Sequence, residues 1–144
     1  MSVIAVVIIF AWQARTANVE TFDGNWELVD ATQLSKTTVK PTIAVEDSRV
    51  TGSTGCNNFS FDIKRHQGST VEIANFSMTR ILCAEAEGLE LYLVTQFQKT
   101  QLIEKKDTLL CFLSGTRNVL LAWSRAPTSD AQTTSRVRCD STGR

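Results

Sequence analysis

The stretch RVTGSTGCNNFSFDI, running from Arg49 to Ile63, organises the reading of this chain. Two glycines three positions apart, then Cys56 and Asn57, sit between segments in which apolar and polar residues alternate. Alternation of this kind puts successive side chains on opposite faces of a strand. Phe59, Phe61 and Ile63 therefore share one face, and Ser60, Asp62 and Lys64 the other. Gly52 and Gly55 permit positive φ and predict a sharp bend as one strand ends and the next begins. Asn57 tolerates the left-handed region and bonds readily to nearby backbone, which suits the exit from such a bend.

Strand signals continue on both sides. Asn25 to Val29 alternates around Trp26 and Leu28, and Val39, Ile43 and Val45 alternate with Lys40, Thr42 and Ala44. Pro41 has no N–H to donate, which predicts a sheet edge at that end of the strand. Glu46-Asp47-Ser48 reads as a tight turn into Arg49-Val50-Thr51, making a hairpin. Downstream, His66-Gln67-Gly68 is a turn and Val71 and Ile73 mark a short strand. Ala84 to Lys99 carries the one good helical pattern, with Ala86, Leu89, Leu93 and Phe97 in a stripe and Tyr92 beside it. Glu85 and Glu87 open it and Lys99 closes it, complementing the macrodipole. Gly88 is its weak point. Three strands follow: Gln101–Glu104, Thr108–Leu113 and Val119–Trp123. A strand-rich order with a single late helix defines an α+β, mainly β class: a small antiparallel β-barrel or curved sheet with one helix packed across one end.

Composition narrows the function. The chain has 144 residues, 42% hydrophobic and 21% charged, enough for one domain with a single core. Lys plus Arg and Asp plus Glu both number 15, so no excess of basic charge points to nucleic acid. Residues 1–18 hold an apolar run from Val3 to Trp12, the length of a signal-peptide core or an N-terminal anchor rather than of a bilayer span. That predicts a secreted or cell-envelope protein, with membrane association through this segment left open, and a cytoplasmic one if the segment is no signal. From residue 126 to 144 the chain is rich in Ser, Thr and Arg and reads as a disordered tail. The domain itself is expected over residues 22–125, as a monomer.

The sequence shows no P-loop, no G-x-S-x-G elbow, no H-E-x-x-H and no pair of Cys or His at metal-ligand spacing. No catalytic residue, metal or cofactor is assigned. His66, the single histidine, falls in a turn and reads as a surface residue. Asn58-Phe59-Ser60 and Asn75-Phe76-Ser77 fit the glycosylation acceptor pattern, which carries weight only in a eukaryotic secreted protein. Four cysteines allow three pairings, and spacing does not choose among them. Cys111 reads as a small core residue and Cys139 as a free thiol. Arg80 is expected to pair with a helix carboxylate such as Glu90.

The glycine-Cys56-Asn57 turn, the later Thr79-Arg80-Ile81-Leu82-Cys83 and the single helix after it together resemble the META domain, the family of the heat-shock protein HslJ. Trp26 and Leu28 match its opening strand and Glu90 its acidic helix position. The resemblance implies a non-enzymatic module tied to stress response or virulence that binds an unknown protein, peptide or lipid. It implies a Cys56–Cys83 disulfide, which would close a loop of about 28 residues and contribute roughly 3–4 kcal/mol if unstrained. A thiol-based redox or nucleophile role for Cys56 or Cys83 is the alternative. The motif residues Gly52, Gly55, Cys56, Asn57, Thr79 and Arg80 are the candidate partner-binding surface. Phe61 stands where the family usually has glycine, so its ring is expected to fill interior volume and leave the partner outside.

Overall fold

The computed structural model describes residues 21–30, 40–126 and 138–139. The apolar N-terminal run and all of the expected tail except Ala126, Arg138 and Cys139 lie outside them. Eight strands form one antiparallel sheet: β1 (Gly24–Asp30), β2 (Thr42–Glu46), β3 (Arg49–Ser53), β4 (Asn58–Arg65), β5 (Val71–Met78), β6 (Leu102–Lys106), β7 (Leu109–Leu113) and β8 (Val119–Arg125). A single helix, α1 (Glu87–Lys99), separates β5 from β6. The spatial order is β5-β4-β3-β2-β1-β8-β7-β6, so the sheet's two edges are the strands that flank the helix in sequence. The sheet curls into a half-barrel. Its edges meet at one end only, through a Thr70–Leu102 bridge and the bonds Val71 N–H to Gln101 O (2.9 Å) and Ile103 N–H to Ser69 O (3.0 Å). Among the described residues, no helix is long and apolar enough to cross a membrane.

Alternation explains what the curl encloses. Trp26, Ile43, Gly52, Phe59 and Met78 are register partners in one row across β1 to β5 and face inward. Leu110, Phe112, Leu121 and Trp123 face them from β7 and β8. The helix lays Leu89, Leu93 and Phe97 into the space between. Phe97 is the centre of it, with ring centroids 5.3 Å from Phe59, 4.9 Å from Phe61, 6.1 Å from Phe112 and 6.3 Å from Trp123. Such ring pairs add about 0.5–1.5 kcal/mol each beyond the area they bury. Phe61 is fully buried and completes the cluster, as expected of a ring that fills the interior.

Four expectations are corrected. The helix starts at Glu87 rather than Ala84; Ala84 to Ala86 form a turn in which Ala86 N–H reaches Cys83 O at 3.0 Å. Pro41 does not mark an edge, because β2 lies between β1 and β3 and begins one residue later; the Pro41 carbonyl instead accepts from Leu28 N–H. Neither Gly52 nor Asn57 has positive φ, whereas Gly55 does, at 92°. Gly52 is required for a different reason: a Cβ there would lie 2.4 Å from the Phe59 ring and 2.7 Å from the Thr42 carbonyl oxygen. Lastly, Cys139 is not free; Cys111 is buried, as a core residue should be, but on the outer side of the sheet. They form a disulfide with Cα atoms 5.9 Å apart. It pins Cys139 onto the outer face of β7, where Leu109, Cys111 and Leu113 pack with Leu102 and Val119. Consequently β7 is buried on both faces.

The two informative glycines predict opposite responses to one substitution. Nothing lies within 4 Å of a Cβ built on Gly88, so Gly88→Ala should raise stability, by up to about 1 kcal/mol and a few degrees in Tm. Gly52→Ala should lower it by about 1–3 kcal/mol through the clash with Phe59. Paired thermal melts check both, and equal shifts of the same sign would contradict the packing described.

Candidate functional site

The turn between β3 and β4 is built on Thr54 and Asn57. Both are buried, 1% exposed each, which for polar side chains demands partners. The Thr54 hydroxyl accepts from Asn57 N–H (2.8 Å) and Cys56 N–H (3.2 Å) and donates to Glu90 Oε1 at 2.6 Å. Asn57 uses its whole amide. Its Oδ1 accepts from the Thr79 hydroxyl and from Ile81 N–H, both at 2.7 Å. Its Nδ2 donates to Ile81 O at 2.9 Å and to the Glu90 carboxylate at 2.9 and 3.1 Å. One side chain thus joins three segments: the β3–β4 turn, the loop after β5 and the first turn of α1. The Thr79 hydroxyl, bonded also by Asn58 N–H at 3.0 Å, ties β4 to the same loop.

The disulfide reinforces this junction. Cys56 and Cys83 are joined, with Cα atoms 6.3 Å apart, so the glycine-rich turn is covalently linked to the residues entering the helix. Both cysteines are partly exposed. Between the anchors the loop presents Arg80, Ile81 and Leu82 to solvent; Ile81 is 60% exposed and Leu82 fully so. The expected Arg80–Glu90 pair is absent, because the Glu90 carboxylate is already held by Thr54 and Asn57. Arg80 is left exposed, with no ion pair among the described residues.

Beside this loop, the outer face of the sheet is grooved. A channel of about 960 Å³ crosses β1 to β5, lined on one side by the register row Asn25, Ala44, Thr51, Ser60 and Ser77 and on the other by Thr42, Ser53, Asn58 and Thr79. These are short hydroxyl, amide and methyl side chains, and the backbone of the inward row floors the channel. Ser60 and Ser77 hydroxyls bond to each other at 2.9 Å. The Arg49–Asp62 pair, at 3.1 Å, stands next to the first row as one bank. His66 lies elsewhere, in the β4–β5 turn, 3.7 Å from Glu72.

Of the motif residues, then, Cys56, Asn57 and Thr79 converge on one junction, while Gly52 underlies the channel and Arg80, exposed, follows its lining residue Thr79 in sequence. The sequence pattern did not reveal Thr54 or Glu90 as parts of this network, nor the channel. Glu90 carried a family match and an expected pairing with Arg80 rather than with the turn, and Thr54 looked like one more polar turn residue.

A curled antiparallel half-barrel that holds one helix in its concavity, stitched at a glycine-Cys-Asn turn, is the architecture this geometry defines. The META domain family model matches residues 17–127, and the chain belongs to the META domain family. Comparison with curated proteins found no match. Two solved structures resemble it. One, an NMR structure, is 18% identical with a TM-score of 0.54, covering 70% of this chain and 87% of its own. Another, the NMR structure of a protein from Burkholderia xenovorans, is 14% identical with a TM-score of 0.55, covering 74% of this chain and 83% of its own. At such identities the likeness is one of fold.

The junction predicts a sharp result for a near-isosteric change. Asn57→Asp keeps the shape but removes both donors and sets a second carboxylate against Glu90. It should destabilise the domain by about 3 kcal/mol or more, and Glu90→Gln in the same chain should restore part of that. Urea unfolding of the two single variants and the double variant measures it. A loss below about 0.5 kcal/mol for Asn57→Asp would remove Asn57 from its central place.

Proposed function

We propose that this META domain is a non-enzymatic binding module of an oxidising, extracytoplasmic compartment, secreted or in the cell envelope. Its partner is an extended segment of a peptide or protein, received on the outer face of β1 to β5. The observation that carries the reading is the division between a filled interior and a channelled exterior. Inside, Phe59, Phe61, Phe97 and Phe112 occupy the concavity. Outside, the channel offers uncharged hydroxyl and amide groups along its length, a lining suited to hydrogen-bonding a main chain without selecting its charge. Arg80, Ile81 and Leu82 stand at its margin beside Thr79, where a cation and two apolar side chains give a partner something specific to hold. Two disulfides favour the compartment, since such bonds persist where thiols are oxidised. A contribution to stress response or virulence, as the family implies, belongs to the same proposal.

Peptides selected against the purified domain from a random library supply the test. Ser60→Lys should fill the channel and weaken the selected peptides at least tenfold, with no loss of stability because Ser60 lies on the outer face. Unchanged binding would move the partner elsewhere. A small apolar fluorescent probe should be ignored by the unmodified domain and taken up by Phe61→Gly. Tight uptake by the unmodified domain would overturn the filled interior, and binding to neutral phosphatidylcholine vesicles in place of peptides would make the partner a lipid.

A further inference from the structure

We propose that the Cys56–Cys83 disulfide is a site of thiol–disulfide exchange on the folded domain, read by a dithiol protein, while Cys111–Cys139 is inert. The two bonds differ in their surroundings. Cys111 has no exposed surface and lies in an apolar strip between Leu109 and Leu113. An incoming thiolate cannot reach its sulfur, and attack on Cys139 would expel the Cys111 thiolate into surroundings that penalise charge. Both residues of the other bond are partly exposed, Cys56 in the β3–β4 turn and Cys83 in the loop that enters α1. Asn57 Nδ2 lies 3.6 Å from Cys56 Sγ but gives its two hydrogens to Ile81 O and the Glu90 carboxylate, so a thiolate departing from Cys56 is protonated from solvent.

The step is balanced as follows. A thiolate of the dithiol partner attacks Cys83 Sγ; the Cys56–Cys83 bond breaks and its electron pair leaves on Cys56, which takes a proton from solvent. The partner's second thiolate then attacks the partner sulfur of the mixed disulfide and expels the Cys83 thiolate, which is protonated in turn. The partner ends as a disulfide, oxidised by two electrons, and the domain as a dithiol. Ile81 and Leu82 directly precede Cys83 and are exposed, giving a dithiol protein an apolar contact next to the sulfur it attacks. The fold survives the opening, because Asn57 still holds both the N–H and the carbonyl of Ile81, and Thr79 N–H still bonds Asn58 O at 2.9 Å.

Native oxidised protein is incubated with millimolar glutathione and, separately, with reduced thioredoxin-type dithiol protein; thiols are alkylated over time and mapped by mass. Cys56 and Cys83 should label at least tenfold faster than Cys111 and Cys139, with the circular dichroism spectrum unchanged at full labelling of the first pair. Equal rates, or earlier labelling of Cys111 and Cys139, would overturn the proposal, as would loss of the folded spectrum in step with opening. Leu82→Ser should leave the glutathione rate unchanged and slow the dithiol protein several-fold. Equal rates for both reductants in Leu82→Ser and the unmodified chain would remove the apolar contact and, with it, the protein partner. The assay contains none of the selected peptides, so its outcome does not depend on whether the outer channel is a binding site.

Discussion

A single buried amide sets the geometry of one whole end of this domain. Asn57 cannot be desolvated without partners for its oxygen and its nitrogen, since an unmatched buried amide forfeits about 1–3 kcal/mol or more. It finds them on the loop after β5 and on α1, elements far from it in sequence. Satisfying that amide therefore positions the Thr79–Ala86 segment, and with it the start of the helix. Once the helix is placed, Leu89, Leu93 and Phe97 fall into the concavity, and the curl of the sheet has something to close on. The polar junction chooses the arrangement; the aromatic cluster around Phe97 supplies most of its stability.

Much of the fold was legible because its periodicities are clean. Trp26 with Leu28, Phe59 with Phe61, and Leu89 with Leu93 and Phe97 each declare a face, and each of those faces is buried. The site was less legible, for physical reasons. Gly52 advertises backbone freedom but is needed for lack of a side chain, and nothing local distinguishes the two uses. Asn57 looks like a turn residue because it is one, yet its amide is spent on partners more than twenty residues away. Arg80 and Glu90 form a plausible ion pair on paper; in the structure the Glu90 carboxylate accepts from Thr54 and Asn57, and Arg80 has no ion pair among the described residues. Cys139 sits among Ser, Thr and Arg, a composition that carries no hint of the apolar strip it covers.

The two halves of the sheet solve the problem of an outer face differently. Along the middle of β1 to β5 the outward side chains are short, among them Thr42, Ala44, Thr51, Ser53, Ser60 and Ser77, and they leave an open channel. On β7 they are Leu109, Cys111 and Leu113, as apolar as the inward ones. A strand buried on both faces needs cover on both, and the described cover on the outer side is Cys139, bonded to the strand itself.

That arrangement changes where the folding unit ends. Family likeness stops at residue 127, before the half-cystine that completes the outer layer. A protein trimmed to the family boundary would keep every strand and the helix, yet carry an orphan thiol flanked by two uncovered leucines. Its solubility, rather than its secondary structure, would register the loss. Homology in this chain delimits the sheet, and chemistry delimits the domain.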